Sequence, residues 1–225
     1  MSHYRFDEEG LLRYLKDRFL QYWPNLALVV EDIDSKFIES GAKVLVVGSG
    51  RKDKLSAERR INIDIRSYDG VDVVADGQWL PFADKSVDVV VCHQVLEHVP
   101  DADLMINEIN RVLRGSGRVI ISVPFYFPFH ASPHDYRRWT IPGLEVSFNK
   151  FKCLKTGIYV GPVSGFLSSV QFFVGALVPN FWLSYIARGI VGYLLFPFKY
   201  LDYIAVKSPN AIYIAASVYY VGEKE

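Results

Sequence analysis

Two cysteines, Cys92 and Cys153, are all that 225 residues contain, so no disulfide framework and no cysteine-based zinc pattern can be assembled. Each lies in an apolar run, and both are expected to be buried, reduced thiols. Net charge is lacking too: 25 Lys plus Arg balance 25 Asp plus Glu. Without a basic excess there is no bulk electrostatic footprint for a phosphate backbone, and nucleic acid is excluded as the expected partner. Internal repeats and low-complexity linkers are missing. The opening MSHYRFDEEG is polar and acidic, so no signal peptide is expected and a cytoplasmic location follows.

What is present is a core. Half of the residues are hydrophobic and 15% are aromatic, enough for one sizeable domain. Residues 7–21 place Leu11, Leu12, Leu15 and Phe19 at helical spacing. Pro24 breaks that pattern, and a second helix is expected over 25–39, ended by Gly41. Short apolar runs predict strands at 43–48, 61–65, 71–75 and 87–92, the last apolar throughout and so buried on both faces. Asp101 can cap a helix with Met105, Ile109, Val112 and Leu113 on its apolar face. Gly115-Ser116-Gly117 stops it before a fifth strand at 118–123. Thr140 with Pro142 marks another helix start, and further strands are expected at 151–160 and 211–221. Strands alternating with helices imply an open α/β sheet, mainly parallel.

Such sheets bind ligands at the carboxyl ends of their strands. Those places hold Asp64, Asp76, His93, Glu97, His98, His130, His134 and Asp135. In 43-KVLVVGSGRKDKL-55, an apolar strand runs into the Gly48-Ser49-Gly50 turn. That turn either approaches a nucleotide-like cofactor or only reverses the chain. Each residue alone has a plain structural use: loop caps for Asp64 and Asp76, a solvated loop for Arg51 to Lys54, and a solvated pair for Glu97 and His98.

Taken in order, these stretches resemble the class I S-adenosylmethionine-dependent methyltransferases of the type 11 group, over about 43–148. VLVVGSG is similar to the first family motif, and NIDI to the second-strand motif with its acidic residue. The most specific piece is 76-DGQWLPFADKSVDVVVCHQVLEHV-99, with its aspartate, its Leu-Pro-Phe turn and a Ser-Phe-Asp opening in which Val87 replaces Phe. RVLRGSGRVIISVP is similar to the family's helix, glycine turn and fifth strand.

The resemblance implies a Rossmann-like sheet of about seven strands, the last antiparallel, and S-adenosylmethionine as cofactor. It implies that Gly48, Ser49 and Gly50 lie along the methionine part and that Asp64 accepts from the ribose hydroxyls. Asp76 and Gly77 would lie beside the adenine, and His93 near the sulfonium. No metal is expected. Two departures stand out: only about ten residues separate Gly50 from the second strand, and the link from Ile65 to Val71 is short, so both crossover helices are cut.

The stretch 125-FYFPFHASPHDYRRWTIPG-143 is dense in aromatic and ionisable groups where a plain connector would be small and polar. The resemblance makes it acceptor-facing. His93, His130, His134 and Asp135 are the candidate catalytic residues, with Tyr136 and Arg138 alongside. From Thr156 to Phe198 the only charge is Arg188, and prolines cut the run into pieces of about fifteen residues, such as 164-SGFLSSVQFFVGALV-178. A spanning helix needs roughly twenty, so interfacial or buried helices are expected.

The resulting expectation is one domain. Residues 1–42 give N-terminal helices, 43–160 the cofactor-binding core, 161–208 an apolar helical insertion between strands six and seven, and 209–225 the final strand. Its function would be methyl transfer to a small or lipid-linked glycan acceptor, with the insertion peripheral on the inner face of a membrane. The other readings are a homodimer or lid surface for the insertion, and an inactive methyltransferase-fold scaffold for the chain.

Overall fold

The computed structural model describes residues 24–50, 57–131 and 133–225. The helix expected over 7–21 and the Arg51–Lys54 loop lie outside the described residues.

Seven strands form one mixed sheet in the order β3-β2-β1-β4-β5-β7-β6. They are β1 (Lys43–Val47), β2 (Arg59–Asp64), β3 (Val73–Val74), β4 (Val87–His93), β5 (Leu113–Pro124), β6 (Phe151–Val160) and β7 (Ser217–Lys224). The first five pair in parallel; β7 runs antiparallel between β5 and β6. Parallel pairing brings the carboxyl ends of β1, β2, β3 and β4 to one edge of the molecule. The last strand occupies 217–224 rather than 211–221, because Pro209–Ile214 forms a 3-10 turn in front of it.

Alternation along the strands sorts the core into two layers. One face carries Leu45, Val90, Cys92, Val119, Ile121 and Tyr220. It is covered by α2 (Ala102–Val112) through Met105, Ile106, Ile109 and Val112, and by α3 (Ile141–Ser147) through Leu144. Asp101 caps α2 by accepting from Leu104 N, and Thr140 caps α3 by accepting from Gly143 N. The helix α2 ends at Val112, and Leu113 already begins β5. On the opposite face, with Val44, Val46, Val89, Val91, Ile120 and Tyr219, the cover among the described residues includes the short α1 (Asp34–Phe37) and Ile33. No helix joins β2 to β3, which leaves Ile65 64% and Val74 56% exposed.

The helix expected over 25–39 shrinks to α1. Residues upstream are extended: Val29 bridges Val160, and Val30 N donates to Tyr159 O at 3.0 Å. The free edge of β6 offers this backbone partners that a helix would forgo, and β-branched Val29 and Val30 suit an extended chain. Glu31 fastens the segment by accepting from Lys36, Lys155 and the Tyr219 hydroxyl. Cys153, expected to be buried, lies exposed on the edge strand β6, while Cys92 is buried in the core.

Between β6 and β7 lie α4 (Pro162–Ala176), α5 (Phe181–Leu195), a 3-10 turn over Phe196–Leu201 and α6 (Asp202–Ala205). Pro197 changes the helical pitch rather than ending the helix, so 181–205 forms one helical path of 25 residues, mostly unburied and long and apolar enough to cross a membrane. Close approach fixes α4 on α5: a Cβ at Gly192 would lie 2.5 Å from the Gln171 amide nitrogen. The insertion seats beyond the carboxyl end of β5, where Gly165 approaches the Tyr126 carbonyl and Ala216.

Candidate active site at the carboxyl edge of the sheet

The strand β1 ends in a turn that only glycine can make. Gly48 has φ +72°, and a Cβ there would lie 2.2 Å from a methyl of Val95. Gly50 also has positive φ, +62°. The amides of Gly48 and Ser49 both donate to Ile63 O, at 2.9 and 3.0 Å, which holds the turn against the end of β2. The Ser49 hydroxyl is buried without a hydrogen-bond partner among the described residues.

Asp64, at the end of β2, accepts from Gly50 N through Oδ2 and from Arg66 N through Oδ1, each at 3.0 Å. Each carboxylate oxygen keeps a second acceptor site, so two neighbouring hydroxyls still fit. Asp76, beyond β3, caps its own turn: Oδ1 accepts from Gln78 N at 2.9 Å, and Gln78 Nε2 reaches both oxygens. A Cβ on Gly77 would press on Met105 at 3.0 Å, so the backbone lies directly on α2. The Leu80-Pro81-Phe82 turn is clamped from the same helix. Arg111 donates to the carbonyls of Leu80 and Phe82, and Glu108 accepts from Leu80 N at 2.9 Å.

His93 ends β4 on the face toward α1. Its Nε2 lies 3.0 Å from both oxygens of Asp34, its Nδ1 lies 2.9 Å from Ser122 Oγ, and its ring stacks on Tyr159. Asp34, Ser122 and Tyr159 come from three other elements, and no local motif marks them. Gln94 follows with φ +55°, uncommon outside glycine, and donates its amide to Ser122 O.

The segment after β5 folds back over the 3-10 turn Leu96–His98. Tyr136 N donates to Glu97 O at 2.7 Å, Arg137 reaches Pro100 O at 2.6 Å, and His98 Nδ1 lies 2.6 Å from His134 O. The Asp135 carboxylate is 1% exposed; Arg138 donates to both of its oxygens, and His130 N to one. The Arg138 guanidinium beside it holds this carboxyl down at about 2. Asp135 is thereby an anchor of the segment. The side chains of His134 and Tyr136 remain exposed, their rings 5.5 Å apart.

Glu97 corrects the expectation of a solvated pair with His98: it is fully buried, and the His98 side chain is 16% exposed. Burial lowers the His130 pKa, but the Glu97 carboxylate outweighs it, so the net direction is up.

Four adjacent parallel strands therefore present a glycine turn, two carboxylates and a histidine at one edge, beside a loop rich in histidine. The partnerless Ser49 hydroxyl, the Cβ-free Gly48 and the acceptor sites left on Asp64 fit an adenosyl cofactor with a vicinal diol.

Comparison with known proteins agrees. The methyltransferase-domain family matches residues 35–121. A probable S-adenosylmethionine-dependent methyltransferase of Mycobacterium tuberculosis is 53% identical over 72 residues, which are 32% of this chain and 22% of that protein. The ubiquinone/menaquinone biosynthesis C-methyltransferase of Rickettsia prowazekii is 27% identical over 124 residues, covering 49% of this chain and 50% of that one. The matched stretches thus span from about a fifth to a half of these relatives' lengths.

Among solved structures, a Burkholderia thailandensis 1,6-didemethyltoxoflavin-N1-methyltransferase with S-adenosylhomocysteine bound superposes with a TM-score of 0.57 at 16% identity, covering 96% of this chain and 86% of that one. The mixed seven-stranded sheet is shared with it. Residues 35–121 thus match the methyltransferase-domain family, and the chain has the fold of the class I S-adenosylmethionine-dependent methyltransferases.

Proposed function

We propose that the protein transfers a methyl group from S-adenosylmethionine to an acceptor delivered at a membrane surface. The observation that carries the first half is the Gly48 turn, which admits no Cβ, lying within hydrogen-bond reach of Asp64. In this reading the backbone of Gly48 to Gly50 lies along the methionine end, with the Ser49 hydroxyl as an added partner. Asp64 accepts from the ribose diol, and Asp76 with Gly77 flanks the adenine. Bound S-adenosylmethionine supplies a methyl group on an already activated sulfonium. The protein's contribution is then alignment of the acceptor, which can be worth many orders of magnitude. Asp135 and Arg138 hold the loop, and His134 and Tyr136 face the acceptor. Where the acceptor must lose a proton, His134 is the exposed candidate base. His93 is committed to Asp34 and Ser122 and orients the end of β4.

The second half rests on the insertion. Phe166, Phe173, Trp182, Ile186, Leu194 and Ile204 are all more than half exposed, and Arg188 is the only charge from Thr156 to Phe198. Arg188 itself lies 3.9 Å over the Phe172 ring. An apolar face this continuous needs a cover, and its Trp and Tyr side chains are those favoured at a lipid interface. Lys199 donates to Asn25 O at 2.8 Å, so docking relies on the apolar face. An open pocket of about 260 Å³ lies between residues 24–27, Phe127 and α4, near the loop.

The test is turnover. The purified protein, given S-adenosylmethionine and a lipid extract, is expected to form S-adenosylhomocysteine and a methylated lipid-linked product by mass spectrometry. Cofactor binding with no turnover on any extract would favour the scaffold reading.

A further inference from the structure

We propose that Glu97, His98 and His130 form a binding site for one divalent transition-metal cation, such as Zn²⁺. Three observations converge on it. The donor atoms of these three side chains all lie within 4.8 Å of one another. Glu97 is fully buried, and neither of its carboxylate oxygens has a hydrogen-bond partner among the described residues. A buried carboxylate left so is costly unless a cation completes it. The imidazoles are aimed by their far nitrogens: His98 Nδ1 lies 2.6 Å from His134 O, and His130 Nδ1 lies 3.2 Å from Pro128 O. A carbonyl on Nδ1 makes that nitrogen the N–H donor and leaves the lone pair on Nε2. Both Nε2 atoms then point at Glu97.

The distances decide between two ways of holding this trio together. His130 Nε2 lies 3.6 Å from Glu97 Oε1, and His98 Nε2 lies 3.7 Å from the same oxygen. Both exceed hydrogen-bond length. Ligands about 2.1 Å from a tetrahedral zinc stand about 3.4 Å apart, so the spacing is close to that of ligands sharing an ion. Two imidazoles and one carboxylate favour Zn²⁺, Co²⁺ or Mn²⁺ over Mg²⁺, which prefers oxygen ligands. Such a set leaves coordination positions for water or an oxygen of another molecule. The half-open side is that of the imidazoles, since the His130 side chain is 28% exposed. The cation would also tie the turn after β4 to the loop after β5. Sequence spacing could not reveal it, because His130 lies 32 residues beyond His98 and meets it only when the loop folds back.

The site is independent of methyl transfer, and its test reads the cation alone. The full chain, stripped with a chelator and desalted, is titrated calorimetrically with ZnCl₂, and Co²⁺ is followed by its visible absorption. Wild type is expected to bind one ion per chain, with MgCl₂ giving no comparable heat. Glu97→Gln keeps shape while removing the charge, and is expected to weaken zinc binding by roughly a hundredfold. His98→Ala and His130→Ala should do the same, while His134→Ala, which keeps its backbone carbonyl, should bind as wild type. Circular dichroism confirms folding, and Glu97→Gln suffices where an alanine variant does not fold. Absence of zinc binding by wild type, or equal binding by folded wild type and Glu97→Gln, would overturn the proposal and leave a carboxylate–imidazolium cluster only.

Discussion

The carboxylate of Asp202 closes the amino end of α4, whose first turn contains Ser164. Asp202 Oδ2 accepts from Ser164 Oγ at 2.6 Å and Ser164 N at 3.0 Å, and Oδ1 accepts from Val163 N at 2.7 Å. Asp202 is fully buried, 38 residues away in sequence, so one side chain joins both ends of the insertion. Asp202→Ala leaves the first amides of α4 without partners. It is expected to cost about 1–3 kcal/mol, lowering Tm by several degrees in a thermal melt. A change under about a degree would remove Asp202 from the structural account.

Glu31 gives stability a dependence on acid. Burial raises its pKa, but hydrogen bonds from Lys155, Lys36 and Tyr219 outweigh that and bring it down to about 2 from an ordinary value of 4.5. A lowered carboxylate pKa means the unfolded state binds the proton more readily. The contribution is therefore complete above about 4.5 and lost as pH falls toward 2. Denaturant midpoints measured across that window should drop for wild type. Glu31→Gln should start lower at pH 7 and fall less steeply; parallel curves would contradict the assignment.

How much of this was legible beforehand follows from which interactions are local. The apolar runs of β1 and β4, the Asp101 and Thr140 caps and the glycine turn lie within a few residues of the partners that define them, and sequence reading found them. The helix expected over 25–39 failed because the rival partner for Val30, the Tyr159 carbonyl, lies over a hundred residues away. The fate of Glu97 was invisible for the same reason: its burial depends on the loop after β5 folding over it. Asp135 read as a catalytic candidate because acidic residues in a histidine-rich loop do so, whereas its geometry makes it the counter-ion of Arg138.

Acceptor and cofactor roles should separate by mutation. His134→Ala is expected to lower kcat roughly 10²- to 10⁴-fold, as for a lost acid–base group, with cofactor affinity within about twofold. Loss of cofactor affinity in parallel with turnover would make His134 a structural residue.

Membrane docking should depend on the exposed apolar face. The full chain is expected to float with anionic or neutral liposomes in a density gradient. Replacing Trp182 and Leu194, 52% and 69% exposed, by serine should weaken partitioning about tenfold or more. A wild-type protein that stays monomeric and lipid-free without detergent would show the face to be covered otherwise.

The central claim is that the carboxyl edge of the sheet holds S-adenosylmethionine between the Gly48 turn and Asp64. Calorimetric titration tests it most directly. Wild type is expected to bind one S-adenosylmethionine per chain. Asp64→Ala, by removing hydrogen bonds to a charged acceptor worth about 1.5–3 kcal/mol, should weaken binding roughly ten- to a hundredfold. Wild type giving neither heat nor a thermal shift at millimolar cofactor, or binding unchanged in Asp64→Ala, would contradict it.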